Sequence, residues 1–127
     1  MILVDTGIII DFWKRPTQEA EKVFLNENVA ICGVVTAELI HGAKSEKDIQ
    51  EINKALTGFN YIAIDDTIWN DLGLLLYQLR TNGITVPFQD ALMAVIAIKL
   101  NFSIWSKDKH FDMIQKVEPN LKIFTLP

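Results

Sequence analysis

Short and almost wholly apolar runs recur along this chain, separated by longer segments of helical period. Ile2-Leu3-Val4, Val29-Ala30-Ile31-Cys32, Tyr61-Ile62-Ala63-Ile64, Ser103-Ile104-Trp105 and Lys122-Ile123-Phe124-Thr125 are the strand candidates. A sheet with one wet face would show polar residues at every second position, whereas runs without that alternation belong to strands buried on both faces. Strands that alternate with helices run parallel, with the helices packed over the sheet. The pattern therefore predicts an α/β fold, a central parallel sheet covered by helices on both faces.

Local signals set the helix limits. Gly7 to Trp13 reads as a short helix closed before Pro16, and Thr17 caps a second helix that runs to about Glu27. Val35 to Ala43 follows, then a helix opened by Ser45 that runs to about Thr57 and is stopped by Gly58. Asp65-Asp66-Thr67 supplies the cap for Ile68 to Thr81, which Asn82-Gly83 terminates, and Pro87 suits the first turn of a helix that reaches Leu100. Lys109 to Lys116 is the last. No linker, repeat or low-complexity stretch interrupts the chain, so residues 1–127 are expected to form a single domain.

Composition narrows the function classes. A chain of 127 residues buries roughly two-thirds of its unfolded surface and needs no staple to hold a core. One cysteine, Cys32, cannot form an intrachain disulfide, and with two histidines it is too few for a closed zinc site. Met1 to Asp5 lacks a basic leader, and the apolar run Ala91 to Ile98 falls far short of the roughly 20 residues that span a bilayer. A cytoplasmic protein without a membrane partner is expected.

Ligand sites in parallel sheets lie at the carboxyl ends of the strands. Asp5 ends the first strand, and Asp108 follows the fourth after Ser106-Lys107. Glu38 lies about one turn past Gly33 and Asp90 about one turn past Pro87, so each can point to the same edge. Four carboxylates in so small a space would repel, and a hard divalent cation, Mg²⁺ or Mn²⁺, resolves the repulsion. Such a centre suits hydrolysis of a phosphodiester. Asp5 and Asp108 also stand where Asp caps a helix. Glu38 and Asp90 adjoin strongly apolar sequence, where an acid is costly unless it is paired or metal-bound. His41 and His110 have no second ligand nearby in sequence and are assigned no catalytic role.

Four segments of the chain resemble the PIN-domain nucleases, in particular the small VapC-type toxins of toxin–antitoxin pairs. They are Leu3-Val4-Asp5-Thr6-Gly7-Ile8-Ile9-Ile10-Asp11, Thr36-Ala37-Glu38-Leu39-Ile40-His41-Gly42, Val86-Pro87-Phe88-Gln89-Asp90-Ala91-Leu92-Met93-Ala94 and Trp105-Ser106-Lys107-Asp108-Lys109-His110-Phe111, in the family's order. The resemblance implies a three-layer α/β/α sandwich, with Asp5, Glu38, Asp90 and Asp108 as the catalytic, metal-binding acids of an Mg²⁺- or Mn²⁺-dependent ribonuclease. It also implies silencing by a cognate antitoxin. Thr6 and Ser106 match positions that often carry a hydroxyl beside the acids, and Asp112 is a further outer candidate. Gly7 departs from the Ser or Asn of many relatives.

A net charge of −4, from 12 Lys and Arg against 16 Asp and Glu, is unusual for a binder of nucleic acid. With the four site acids set aside, the two counts are equal. Lys14, Arg15, Lys107 and Lys109 are the candidate phosphate contacts, the last two flanking Asp108. The segment Ile68 to Thr81 carries more apolar residues than one sheet face requires, which predicts a homodimer and a surface for the antitoxin. Two rivals remain at this level: a PIN-fold binding module without catalysis, and a phospho-accepting receiver domain that uses Asp65 and Lys107.

Overall fold

The computed structural model describes residues 1–127. The elements are β1 (Ile2–Val4), α1 (Thr6–Lys14), α2 (Gln18–Asn26), β2 (Val29–Cys32), α3 (Gly33–His41), α4 (Glu46–Leu56), β3 (Asn60–Ile62), α5 (Thr67–Thr81), α6 (Phe88–Leu100), β4 (Ser103–Trp105), α7 (His110–Val117) and β5 (Lys122–Ile123). All strand pairs are parallel and lie in the order β3-β2-β1-β4-β5. This is the α/β architecture that the periodicity predicts, a central parallel sheet flanked by helices.

The caps follow from local chemistry. The Thr17 hydroxyl accepts from the Ala20 N–H at 3.2 Å, that of Ser45 from Asp48 at 3.1 Å, and the Asp65 carboxylate from Thr67 at 2.9 Å. Each satisfies an N–H that the first helical turn leaves without a partner. Burial on both faces holds for β1 and β2 and nearly so for β4, but not for β3, where Asn60 and Tyr61 are exposed. The reason is position, because β3 is an edge strand paired only with β2.

The core gathers around α6. Every residue from Asp90 to Ala97 is buried, as expected for a helix that is apolar over its whole circumference. Ala91, Ala94 and Ala97, each fully buried, let neighbouring elements approach closely. Lys99, in the last turn of α6, lies 3.9 Å from Asp65, just ahead of α5, and 3.8 Å from Asp71, near the start of α5, so the two helices run antiparallel. From α5, Ile68, Leu72, Leu75 and Leu79 enter the core, while Trp69, Leu74 and Tyr77 stay exposed. No helix is long and apolar enough to cross a membrane.

Strand order decides between two readings of the sequence. A receiver-type sheet runs 2-1-3-4-5, and the observed order 3-2-1-4-5 overturns that assignment. Asp65, the acceptor acid that reading needs, sits beside the edge strand and caps α5. The observed order also puts the topological switch point between β1 and β4, where the connections depart in opposite directions. Ligands of open parallel sheets bind in the crevice outside the carboxyl ends at such a point.

Candidate metal centre

Asp5 follows β1 directly, and its N–H donates to the Trp105 carbonyl of β4 at 2.9 Å, which pins the residue across the switch point. Its two carboxylate oxygens then serve different neighbours. Oδ1 accepts from the Thr6 N–H at 2.8 Å and caps α1, while Oδ2 accepts from the Ser106 hydroxyl at 2.7 Å. The Ser106 Oγ itself accepts from the Asp108 N–H at 3.0 Å. Thr6, one of two buried polar residues, donates its hydroxyl to Glu38 Oε1 at 3.0 Å.

α6 brings the fourth acid. Asp90 is the other buried polar residue, and its Oδ2 lies 2.8 Å from His110 Nδ1. The same nitrogen lies 2.9 Å from Asp108 Oδ1, which also accepts from the His110 N–H at 3.2 Å. A continuous hydrogen-bonded chain therefore joins Glu38 at one end to Asp90 at the other, with the Thr6 and Ser106 hydroxyls as links. Ligand atoms of Asp90, Asp108 and His110 all lie within 4.8 Å of one another.

Burial pushes the Asp90 carboxyl above the usual carboxylate range; the hydrogen bond from His110 opposes this, and the charges of Asp5 and Asp108 add to it. An acid in that position is a group awaiting a counter-charge. Lys107, next to Asp108, does not provide it, since its ammonium lies 2.8 and 3.0 Å from the two oxygens of Asp11. Asp90 and Asp108 stand close enough to share a cation and Asp5 adds its charge to theirs, without a lysine among them, while Glu38 is tied to the group through Thr6 and lies outside that tight cluster; the oxygen-rich set fits a hard divalent cation.

The remaining expectations fare unevenly. Glu38 is not buried as its apolar neighbours suggested: Val35 and Leu39, four apart, take the inward face of α3 and leave Glu38 exposed on the flank. Asp112 is exposed on α7 and does not join the cluster. Lys14 and Arg15 are exposed at the far end of α1, about 12 Å along the axis from Thr6. Lys109 is exposed beside the site. At Gly7 a Cβ would stand 3.1 Å from Lys107 Cε, a close contact that the exposed, flexible lysine stem can relieve by a small shift.

His110 is the residue that the sequence did not single out. Its spacing from Asp108, two residues on at the mouth of a helix, was a weak signal, and Asp90 is 20 residues away in the chain. Only the packing of α6 beside α7 brings the ring between two acids.

The PIN domain family profile matches residues 2–117. Ribonuclease VapC1 of Methanocaldococcus jannaschii is 31% identical over 124 residues, covering 97% of this chain and 86% of that protein. The structure of VapBC-1 from nontypeable Haemophilus influenzae is similar with a TM-score of 0.81 at 25% identity, over 98% of this chain and 97% of that one. VapBC2 of Rickettsia felis, bound to a DNA fragment from its promoter, has a TM-score of 0.81 at 24% identity and full coverage of both chains. The family match runs from β1 to the end of α7 and so spans all four acids and the strand order that gathers them: the chain belongs to the PIN domain family.

Proposed function

We propose that this PIN domain is a divalent-metal-dependent endoribonuclease, the toxin of a toxin–antitoxin pair, with Asp5, Glu38, Asp90 and Asp108 as its metal-binding catalytic acids. The observation that carries this reading is the single hydrogen-bonded chain that links these acids at the switch point of the sheet. Resemblance to a protein named a ribonuclease over nearly the whole chain supports the reaction class. When bound, Mg²⁺ or Mn²⁺ supplies Lewis acidity and offsets charge on a phosphodiester.

The chain's own residues do the rest. Ser106 and Thr6 hold Asp5 and Glu38 in place before any substrate arrives, so little reorganisation remains for the reaction. Lys109 and Lys107 meet phosphates beside the cut, the exposed Lys107–Asp11 pair being weak enough to exchange. Lys14 and Arg15 meet the RNA further along its backbone. An open acidic edge with few fixed cations suits recognition by the shape of a structured RNA more than tight general binding.

Partners follow from apolar surface. Two grooves border the exposed Trp13, one with Phe12, Phe24 and Phe59 and one with Ala43, Ile52 and Ala55, and these offer an antitoxin apolar surface. Trp69, Leu74 and Tyr77 on the outer face of α5 support a homodimer. We take residues 1–127 to act as one domain in the cytoplasm.

The test is cleavage of total cellular RNA by the purified chain freed of antitoxin, with Mg²⁺ or Mn²⁺ against EDTA and with Asp90→Asn alongside. Discrete fragments that need the metal and vanish in the variant are expected. Cleavage that ignores both metal and variant, or no cleavage at all, overturns the reading and leaves a binding module.

A further inference from the structure

We propose that His110 is itself a ligand of this centre, through Nδ1, and that its nitrogen tilts the site away from Mg²⁺ toward a transition ion such as Mn²⁺. The proposal rests on the metal reading above and adds to it a residue and a selectivity.

Geometry comes first. Nδ1 lies 2.8 Å from Asp90 Oδ2 and 2.9 Å from Asp108 Oδ1. Neighbouring ligands on an octahedral ion with bonds of about 2.0–2.1 Å stand about 2.9 Å apart. The nitrogen already stands at the spacing of adjacent shell positions from each of the two oxygens, and all three atoms lie within 4.8 Å of one another. The backbone supports the placement, because the His110 N–H donates to Asp108 and fixes the start of α7 against the acid.

A bracing role alone accounts for this less well. One nitrogen carries at most one proton, so it cannot give a full hydrogen bond to both carboxylates at once. A histidine that merely orients an acid needs one acceptor, and this one faces two from different elements. A cation among the three atoms satisfies all of them together. In that form the ring keeps its proton on Nε2, and the proton that Nδ1 shared with the acids has gone to solvent.

Selectivity follows from donor type. Mg²⁺ favours an all-oxygen shell and gives up water reluctantly, whereas a nitrogen ligand is better tolerated by the first-row transition ions, of which Mn²⁺ is the hardest and the weakest binder. Replacing one oxygen ligand by nitrogen therefore shifts preference toward Mn²⁺.

The experiment uses the full metal-free chain, titrated with MnCl₂ and with MgCl₂ by calorimetry, together with pulsed electron paramagnetic resonance of the Mn²⁺ complex. With only two histidines in the chain, a ¹⁴N coupling has few possible sources, and His41→Gln serves as the control. Expected are Mn²⁺ binding at least about tenfold tighter than Mg²⁺, and a ¹⁴N coupling that survives His41→Gln. His110→Gln should lose the coupling and more than about tenfold of Mn²⁺ affinity, the lower end of what even an outer-shell partner costs, with Mg²⁺ affinity falling less. Bound Mn²⁺ without ¹⁴N coupling, or equal loss of both ions in His110→Gln, overturns the proposal and leaves His110 as a brace for the acids. Failure of the wild-type chain to bind either ion overturns the metal reading itself, a different result. If His110→Gln does not fold, the wild-type coupling and its His41→Gln control decide the matter.

Discussion

Two aspartates open two antiparallel neighbours, α5 and α6, and they stand in opposite energetic positions. Asp65, ahead of α5, is exposed and accepts from the N–H and hydroxyl of Thr67, with Lys99 nearby; those bonds hold its carboxyl below the usual range. Asp90, in the first turn of α6, is buried against like charges, and its carboxyl is pushed above the usual range. The first acid is stabilised by the fold as an anion; the second is tolerated by it. Residue type and place at a helix start do not separate them. Solvent access and the sign of the neighbouring charges do, and under the proposed function they separate an acid that serves structure from one that serves chemistry.

That contrast can be broken in several ways. The largest effect belongs to Asp90→Asn, which should lower RNA turnover at least about a thousandfold, about 4 kcal/mol of barrier. The same change should raise the melting temperature of the metal-free chain at pH 7, because it removes a buried charge. A fall in melting temperature would show that Asp90 is structural after all. Three residues along the same helix, Met93 has no exposed surface, and Met93→Ala should cost about 2–5 kcal/mol of stability. Turnover per folded molecule, measured well below the melting range, should stay unchanged; a loss of turnover there would mean that the body and the first turn of α6 are not separable.

Ser106→Ala tests the hydroxyl links and should cost about 10- to 100-fold in activity or metal affinity, with a small change in melting temperature. Asp65→Asn is the smallest. Its lowered carboxyl contributes stability that is present above about pH 4 and lost as pH falls through the lowered value. The variant should therefore melt slightly below wild type at pH 7, with the gap closing on acidification and RNA turnover unaffected. A gap that widens on acidification would contradict the sign of the shift.

Much of the fold was legible because its causes are local. The apolar runs marked the strands, Thr17 and Ser45 declared their helices through the N–H groups they cap, and the all-apolar stretch after Asp90 announced a buried helix. Three of the acids that the motifs indicated meet through Thr6 and Ser106, and Asp90 joins through His110, a residue the sequence left aside. What was misread depended on distant parts. Glu38 was expected to be buried because its neighbours in sequence are apolar, yet the turn of α3 sends them one way and the acid another. The run Tyr61 to Ile64 suggested a strand buried on both faces, whereas the place of β3 at the sheet edge exposes Asn60 and Tyr61. That Lys14 and Arg15 stand apart from Lys107 and Lys109 was likewise not legible, because the length of α1 sets their distance from the acids.

By itself, then, the sequence determined the α/β class, the order of elements, the caps and the residue types able to bind a hard cation, because each depends on periodicity or on bonds between residues a few positions apart. Only the tertiary structure decided the strand order, which acid is buried, and that His110 stands between Asp90 and Asp108. Those depend on contacts between segments remote in the chain, where burial and like charge set the energy of each group, and no local pattern encodes them.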